Sequence, residues 1–213
     1  MHLTPVSGDS NQHTGTLMVV ENSKNARQAT ASIEPMFTDR WSSKSFSNDP
    51  LSDDQIASLF EAAHWAPSAN NRQPWVFVYA TDGPDRERFD SVLNENNARW
   101  APKAAMIVLV FARIVDAEGN KIRTAQFDTG AAWMSFALQA NRMGLNTRAM
   151  GGIDLDAAYD IAGVSRDEFE TIVALAVGTR GTDDDLHPRM VKQNLANDRK
   201  DVGEIAFKGS YTG

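Results

Sequence analysis

Apolar positions recur along this chain in two rhythms, and each rhythm predicts its own kind of element. Ile56, Leu59, Phe60 and Ala63 fall at helical spacing behind Ser52-Asp53-Asp54-Gln55. In that tetrad the Ser52 hydroxyl and the Gln55 amide can each satisfy a backbone group left orphaned at a helix start, which makes it a capping box. Pro67 ends the run, because the residue before a proline is pushed out of the helical region. Residues 75–80 (Trp-Val-Phe-Val-Tyr-Ala) are rich in β-branched and aromatic side chains and predict a buried strand. Thr81-Asp82-Gly83-Pro84 predicts a turn. A helix follows it, with Phe89, Val92 and Leu93 inward, ending near Asn96-Asn97. Residues 104–112 are nearly all apolar, as in a strand buried on both faces. Residues 116–120 read as a loop.

Residues 128–143 predict a helix apolar on most sides, which must be buried in a large core or against another subunit. Gly144 stands where a left-handed C-cap is needed. Residues 147–150 form a short strand broken by Gly151-Gly152, residues 154–161 a helix, and residues 170–177 a third apolar strand ended by Gly178. The chain is then polar from 179 to 201 before Val202, Ile205, Ala206 and Phe207 restore an apolar segment that should dock far from where the chain left. Upstream, Ile33, Met36 and Phe37 form a short apolar face, the last turns of a first helix leading into Arg40. Residues 1–30 are rich in Ser, Thr, Asn, Gln and His, with 17–20 as an apolar cluster, and predict a poorly ordered arm. One α/β or α+β domain, residues 31–213, is the coarse expectation.

Composition narrows the function classes. With 21 Lys and Arg against 28 Asp and Glu, the net charge is −7 over 213 residues, which argues against a general nucleic-acid binder. The absence of cysteine excludes disulfides, thiolate metal sites and a cysteine nucleophile. No apolar run is long enough to cross a bilayer, and the N-terminus lacks the pattern of a secretory signal, so a cytoplasmic location is the default expectation. His2, His13, His64 and His187 lack the paired spacing of a metal site. The G-x-G-x-x-G, P-loop and G-x-S-x-G motifs are absent. The run 183–185 reads as a solvated loop of carboxylates and not as an acid–base pair.

What remains is a distributed set of candidates. Arg40-Trp41-Ser42-Ser43-Lys44-Ser45-Phe46 is a cationic, hydroxyl-bearing box, and Ala66-Pro67-Ser68-Ala69-Asn70-Asn71-Arg72-Gln73-Pro74-Trp75 is a turn of short polar side chains. Asn97 with Trp100, Gly151-Gly152 after Met150, and Arg199 complete it. Singly, each has a bland reading: a solvated helix end for Arg40 and Lys44, a simple turn for Asn70-Asn71, a backbone bend for the glycine pair.

Together they resemble the FMN-dependent nitroreductase family. The resemblance covers residues 33–209 through Arg40-x-Ser42-x-Lys44-x-Phe46, Ala66-Pro67-Ser68-Ala69-x-Asn71-x-Gln73-Pro74-Trp75, Asn97-x-x-Trp100-Ala101, Asp128-x-Gly130 and Arg199-Lys200, in the family's order. It implies an α+β fold with a central mixed, mainly antiparallel sheet flanked by helices, in an intertwined homodimer with FMN at the interface. The helix 128–143 would supply much of the dimer contact, and the late apolar segment would reach over the partner.

The same resemblance implies roles for single residues. Arg40 and Arg199, helped by Ser42, would hold the FMN phosphate by charge-assisted contacts. Lys44 would stabilise negative charge along the reduced flavin's N1 and C2 oxygen, and Asn97 would bond the pyrimidine edge. Pro67, Ser68, Ala69 and Asn71 would come from the other subunit. Trp41, Met150, Gly151 and Gly152 would line the same cofactor, the glycines letting backbone approach N5 and O4. Asn197 stands where many members place a basic residue, and Gly151 where some place an acidic one. The expected activity is ping-pong hydride transfer from NADH or NADPH through FMN N5 to a small electrophile such as a nitroaromatic, quinone or enal. No side chain need act as acid or base. An FMN-binding or sensing protein without nicotinamide turnover, and a dehalogenase or flavin-modifying enzyme on the same fold, are the alternatives.

Overall fold

The computed structural model describes residues 25–184 and 186–213. Its centre is β2 (Met106–Arg113), the apolar run of the sequence, with every residue from Met106 to Ala112 fully buried. Side chains alternate across a strand, so Ile107, Leu109 and Phe111 enter one core layer while Met106, Val108 and Val110 enter the other. The sheet runs β1-β2-β4-β3, with β1 (Trp75–Ala80), β3 (Leu145–Met150) and β4 (Phe169–Thr179) completing it. All pairings among these strands are antiparallel, with a register shift in the β2–β4 ladder between Val110 and Phe111. The expected mixed character is therefore not present among the described residues: the edges β1 and β3 carry no further strand that could pair in parallel.

Helices cover both faces. On one side α2 (Asp53–His64) and α5 (Ala125–Arg142) pack together over the layer containing Leu59, Val108 and Phe136. On the other lie α3 (Gly83–Ser91) and α6 (Leu155–Ala162), over Phe89, Trp100 and Phe111. The capping box forms as read: Gln55 N donates to the Ser52 hydroxyl (3.2 Å) and Ser52 N donates to the Gln55 amide oxygen (2.9 Å). Gly144 takes the left-handed conformation, φ 73°, as a C-cap requires.

Several boundaries differ from the pattern-based expectation. The first helix, α1 (Met36–Asp39), is a single turn. The helix after β1 stops at Ser91, and Asn94 caps a separate turn, α4 (Glu95–Ala98), by accepting from Asn97 N. The β1 strand is half-buried because it is an edge, leaving Tyr79 exposed. Gly178 does not end β4 but lies inside it, where a Cβ would come within 2.9 Å of Ala105 N and 3.4 Å of Phe46. The polar stretch after 179 contains one further helix, α7 (Pro188–Lys192). Within one chain Val202 and Ile205 remain more than half exposed among the described residues. The apolar cluster 17–20 lies outside the described residues.

Candidate functional site

Residues 41–46 run extended past the ends of β3 and β4, bridged through Phe46 to Arg180. The strand-like alternation turns Trp41, Ser43 and Ser45 into the protein and leaves Arg40, Ser42 and Lys44 on the open side. A buried polar hub enforces that register. The Asn194 side-chain oxygen accepts from Lys44 N (2.6 Å) and the Ser43 hydroxyl (3.2 Å), while its amide donates to Ser45 Oγ (2.7 Å) and to Asp183 (2.7 Å). Ser45 Oγ donates to the same Asp183 carboxylate (2.5 Å). Asp183 is thus a structural acceptor, which overturns the solvated-loop reading of that residue. Asn194 is wholly inaccessible, and its bonds to the Ser43 and Ser45 hydroxyls form where water cannot substitute.

The open side is cationic. Lys44 Nζ donates to the Gln193 side-chain oxygen (2.9 Å), and burial, then the nearby Arg148 guanidinium, lower its pKa below the usual lysine value. Arg148, on β3, donates to the Ser42 carbonyl and lies 5.5 Å from the centre of the Trp100 ring. Burial and then Arg199 lower the pKa of Arg40. Among the described residues none of Arg40, Lys44, Arg148 or Arg199 forms an ion pair with a carboxylate. Trp41 is buried, with the Arg180 guanidinium 4.1 Å from its ring centre.

At the far end of β3, Asn97 Nδ2 donates to the Gly152 carbonyl (2.9 Å) and Asn94 N donates to it as well (3.1 Å). A Cβ at Gly152 would meet the Asn94 amide, with its carbon at 2.9 Å, and Asn97 Nδ2 at 3.1 Å. Gly152 is therefore demanded by the chain's own packing, whereas Gly151 faces open space. Met150 buries its side chain in the core, so it can reach a ligand only through its backbone.

The polar turn stands apart. Residues 67–73 lead into β1, the opposite edge of the sheet from β3. Ala69 N donates to the buried Asp128 carboxylate of α5 (3.2 Å), and Gln73 N donates to Ser68 Oγ (3.0 Å). Asn70, Asn71 and Gln73 all have positive φ, 53°, 54° and 47°, a region costly for a side-chain-bearing residue. Pro67 and Asn71 are exposed. The structure thus brings Arg40, Ser42 and Lys44 together with Arg148, and leaves Pro67, Ser68, Ala69 and Asn71 elsewhere in the same chain.

A family profile described as the nitroreductase family matches residues 37–108 and 88–179, together well over half of the chain. The chain belongs to the nitroreductase family. A solved structure described as an oxidoreductase containing FMN is 34% identical, with a TM-score of 0.85, over 90% of this chain and 99% of that one. A Streptomyces coelicolor protein with the provisional name NADH dehydrogenase/NAD(P)H nitroreductase is 35% identical over 81 residues, which cover 38% of this chain and only 39% of that relative. A similarly named Streptomyces griseus protein is 24% identical over 75% of this chain and 90% of its own length.

Against this nitroreductase frame, the sequence reading missed Arg148, Asn194 and Asp183. Arg148 left a trace, since it is the one charge inside the short strand that ends in Met150. Asn194 left none: an asparagine in a polar stretch is indistinguishable from solvent-exposed neighbours until the chain folds back on it.

Proposed function

We propose that the protein is an FMN-dependent NAD(P)H oxidoreductase that works as a homodimer with its cofactor at the subunit interface. The observation that carries this reading is the aligned face of Arg40, Ser42 and Lys44, joined by Arg148 and without carboxylate partners among the described residues. Cations assembled without acids suit a ligand that brings its own negative charge. The donor set also fits the rest of the ligand. Asn97 uses its amide on Gly152 and keeps its side-chain oxygen for a ring N–H, and the open backbone at Gly151 admits a flat ring without side-chain interference.

Bound FMN supplies the redox chemistry, taking hydride from NADH or NADPH and passing electrons to a small electrophilic acceptor such as a nitroaromatic, quinone or enal. The chain's own residues bind and orient. Arg40 and Arg199 anchor the phosphate, and Lys44 sets positive charge beside the ring edge that gains electrons. Its pKa, lowered by burial and Arg148, rises again when negative charge arrives.

Two copies are required because the two halves of the residue set belong to opposite edges of the sheet. Three strand spacings separate β1 from β3, about 14 Å at the usual separation. One flat ring cannot touch both within a chain, but a second copy can present its 67–71 turn to the first copy's cations. The outward stripe of α5 supports this: Phe127, Gly130, Ala131, Met134 and Leu138 recur at helical spacing, and Phe127 is 80% exposed.

The decisive experiment is an absorption spectrum after FMN loading and desalting, repeated anaerobically with NADH and then NADPH, beside light scattering. A dimer with flavin bands that bleach is the expected result. Bands that persist with both nucleotides would replace the reading with a flavin-binding protein that does not turn over. Full flavin occupancy on a stable monomer would remove the shared site.

A further inference from the structure

Three guanidinium groups from remote parts of the chain converge where residues 25–30 meet the C-terminal tail. Arg27 Nε donates to the Asn197 carbonyl (2.6 Å), and its Nη1 donates to the carbonyls of Arg40 (2.9 Å) and Thr38 (3.4 Å). Arg199 Nη1 donates to the same Asn197 carbonyl (3.2 Å) and to that of Asp198 (2.9 Å). Arg27 and Arg199 therefore share an acceptor, and Arg27 also holds the backbone of the residue that carries the third cation, Arg40.

This arrangement is electrostatically unfavourable by itself. Arg27 is pushed below its usual pKa by burial first, then by Arg199 and Arg40, with Asp198 the weakest influence and opposed in sign. Among the described residues no carboxylate forms an ion pair with Arg27, Arg40 or Arg199. The three carbonyl bonds occupy Nε and Nη1, and among the described residues Nη2 of Arg27 finds no acceptor. A pocket of about 420 Å3 opens at this point, lined by three cations, Arg27, Arg199 and Lys200, against two carboxylates, Asp198 and Asp201. Two guanidinium groups held by neutral carbonyls, with the Arg40 guanidinium close enough to act on Arg27, beside an opening and with one fork unspent among the described residues, form a receptor for a compact dianion.

We propose that Arg27 is a third cation of the cofactor's phosphate site, which makes the segment before α1 a working part of that site. The inference rests on the FMN reading above. Its chemistry is confined to the phosphate monoester and does not extend to the flavin ring. Arg27 acts in two ways. It adds charge, and it ties the Arg40 backbone to the Asn197 backbone so that the other two cations converge.

Comparing FMN with riboflavin separates charge from general structural support, because riboflavin lacks the phosphate and keeps the ring. The full-length parent, Arg27→Gln and Arg27→Lys are titrated with each flavin by fluorescence quenching. Loss of a charge-assisted contact in Arg27→Gln should weaken FMN binding at least about tenfold, with riboflavin affinity unchanged and Arg27→Lys recovering much of the loss. Equal losses for both flavins would overturn the proposal, since Arg27 would then only brace the fold. Unchanged FMN affinity would place Arg27 outside the receptor. A parent that binds FMN no more tightly than riboflavin would overturn the phosphate receptor while leaving the flavin reading intact. A parent that binds neither would overturn both.

Discussion

The segment 40–46 and the turn 67–73 are both short, polar and rich in hydroxyl and amide side chains, yet the chain treats them in opposite ways. The first is stapled from behind by Asn194 and Asp183, so its side chains are aimed before any ligand arrives. The second holds Asn70, Asn71 and Gln73 at positive φ by bonds within the turn and one bond from Ala69 N to the Asp128 carboxylate of α5, with Pro67, Asn70 and Asn71 exposed. Under the proposed function the first is one half of the cofactor site, aimed in advance. The second stores backbone strain, which under the same proposal serves the surface presented to a second copy, and strain of that kind concentrates at binding sites.

The largest expected effect comes from removing the staple. Asn194→Ala leaves the Lys44 N–H and the Ser43 hydroxyl proton without their acceptor and takes two donors from the buried network. At ~1–3 kcal/mol for each buried polar group left unpaired, the loss should reach about 3 kcal/mol in urea unfolding, and flavin retention should fall with it. A loss under about 1 kcal/mol would show that the segment keeps its register without the hub, and the contrast with the turn would weaken.

The glycine pair offers a finer cut. Gly152→Ala should cost roughly 1–2 kcal/mol, because the new methyl displaces the Asn94 cap of α4. In an Asn94→Gly background, which itself costs only a few tenths of a kcal/mol, the same change should be nearly free. Gly151→Ala should leave stability within about 0.5 kcal/mol. Additive losses at residues 94 and 152 would mean that the two do not meet in solution.

The smallest expected effect tests the strain itself. Gln73→Gly removes a side chain from φ 47°, where a non-glycine residue pays about 1–2 kcal/mol. Some of that relief is offset by the entropy of a new glycine and by the lost bond from the Gln73 amide to the Asn71 carbonyl. The net change should be a gain of under about 1 kcal/mol. A clear loss would mean the turn is not strained.

Local patterns in the sequence carried the features with local causes. The Ser52–Gln55 box, the apolar run of β2 and the C-cap at Gly144 all rest on groups within a few residues of one another. Features caused by distant contacts were opaque. Gly178 read as a strand end because glycine usually weakens strands, while its true cause is the close approach of Ala105 and Phe46. Asp183 read as solvated because its partners lie 138 and 11 residues away. Arg40, Ser42 and Lys44 were found as a motif, but the side each takes depends on Asn194, 150 residues beyond Lys44. The exposed apolar tail, with Val202 and Ile205, was legible as sticky but not as unfilled within its own chain.

The Arg27–Asn197 bond spans 170 residues, and that separation sets an order of events during synthesis. At about 5–20 residues per second, Arg27 and Arg40 leave the ribosome roughly ten to thirty seconds before Asn197 and Arg199 exist. β1 and β2 can emerge in that interval, but β4 (Phe169–Thr179) still lies within the ribosome when Asn197 is added, so the finished sheet and the anion receptor both wait for release. A nascent chain is therefore blind to its cofactor until translation is almost complete. The flavin then selects among finished chains instead of guiding unfinished ones, and ribosomes stalled before residue 199 should carry flavin-free chains.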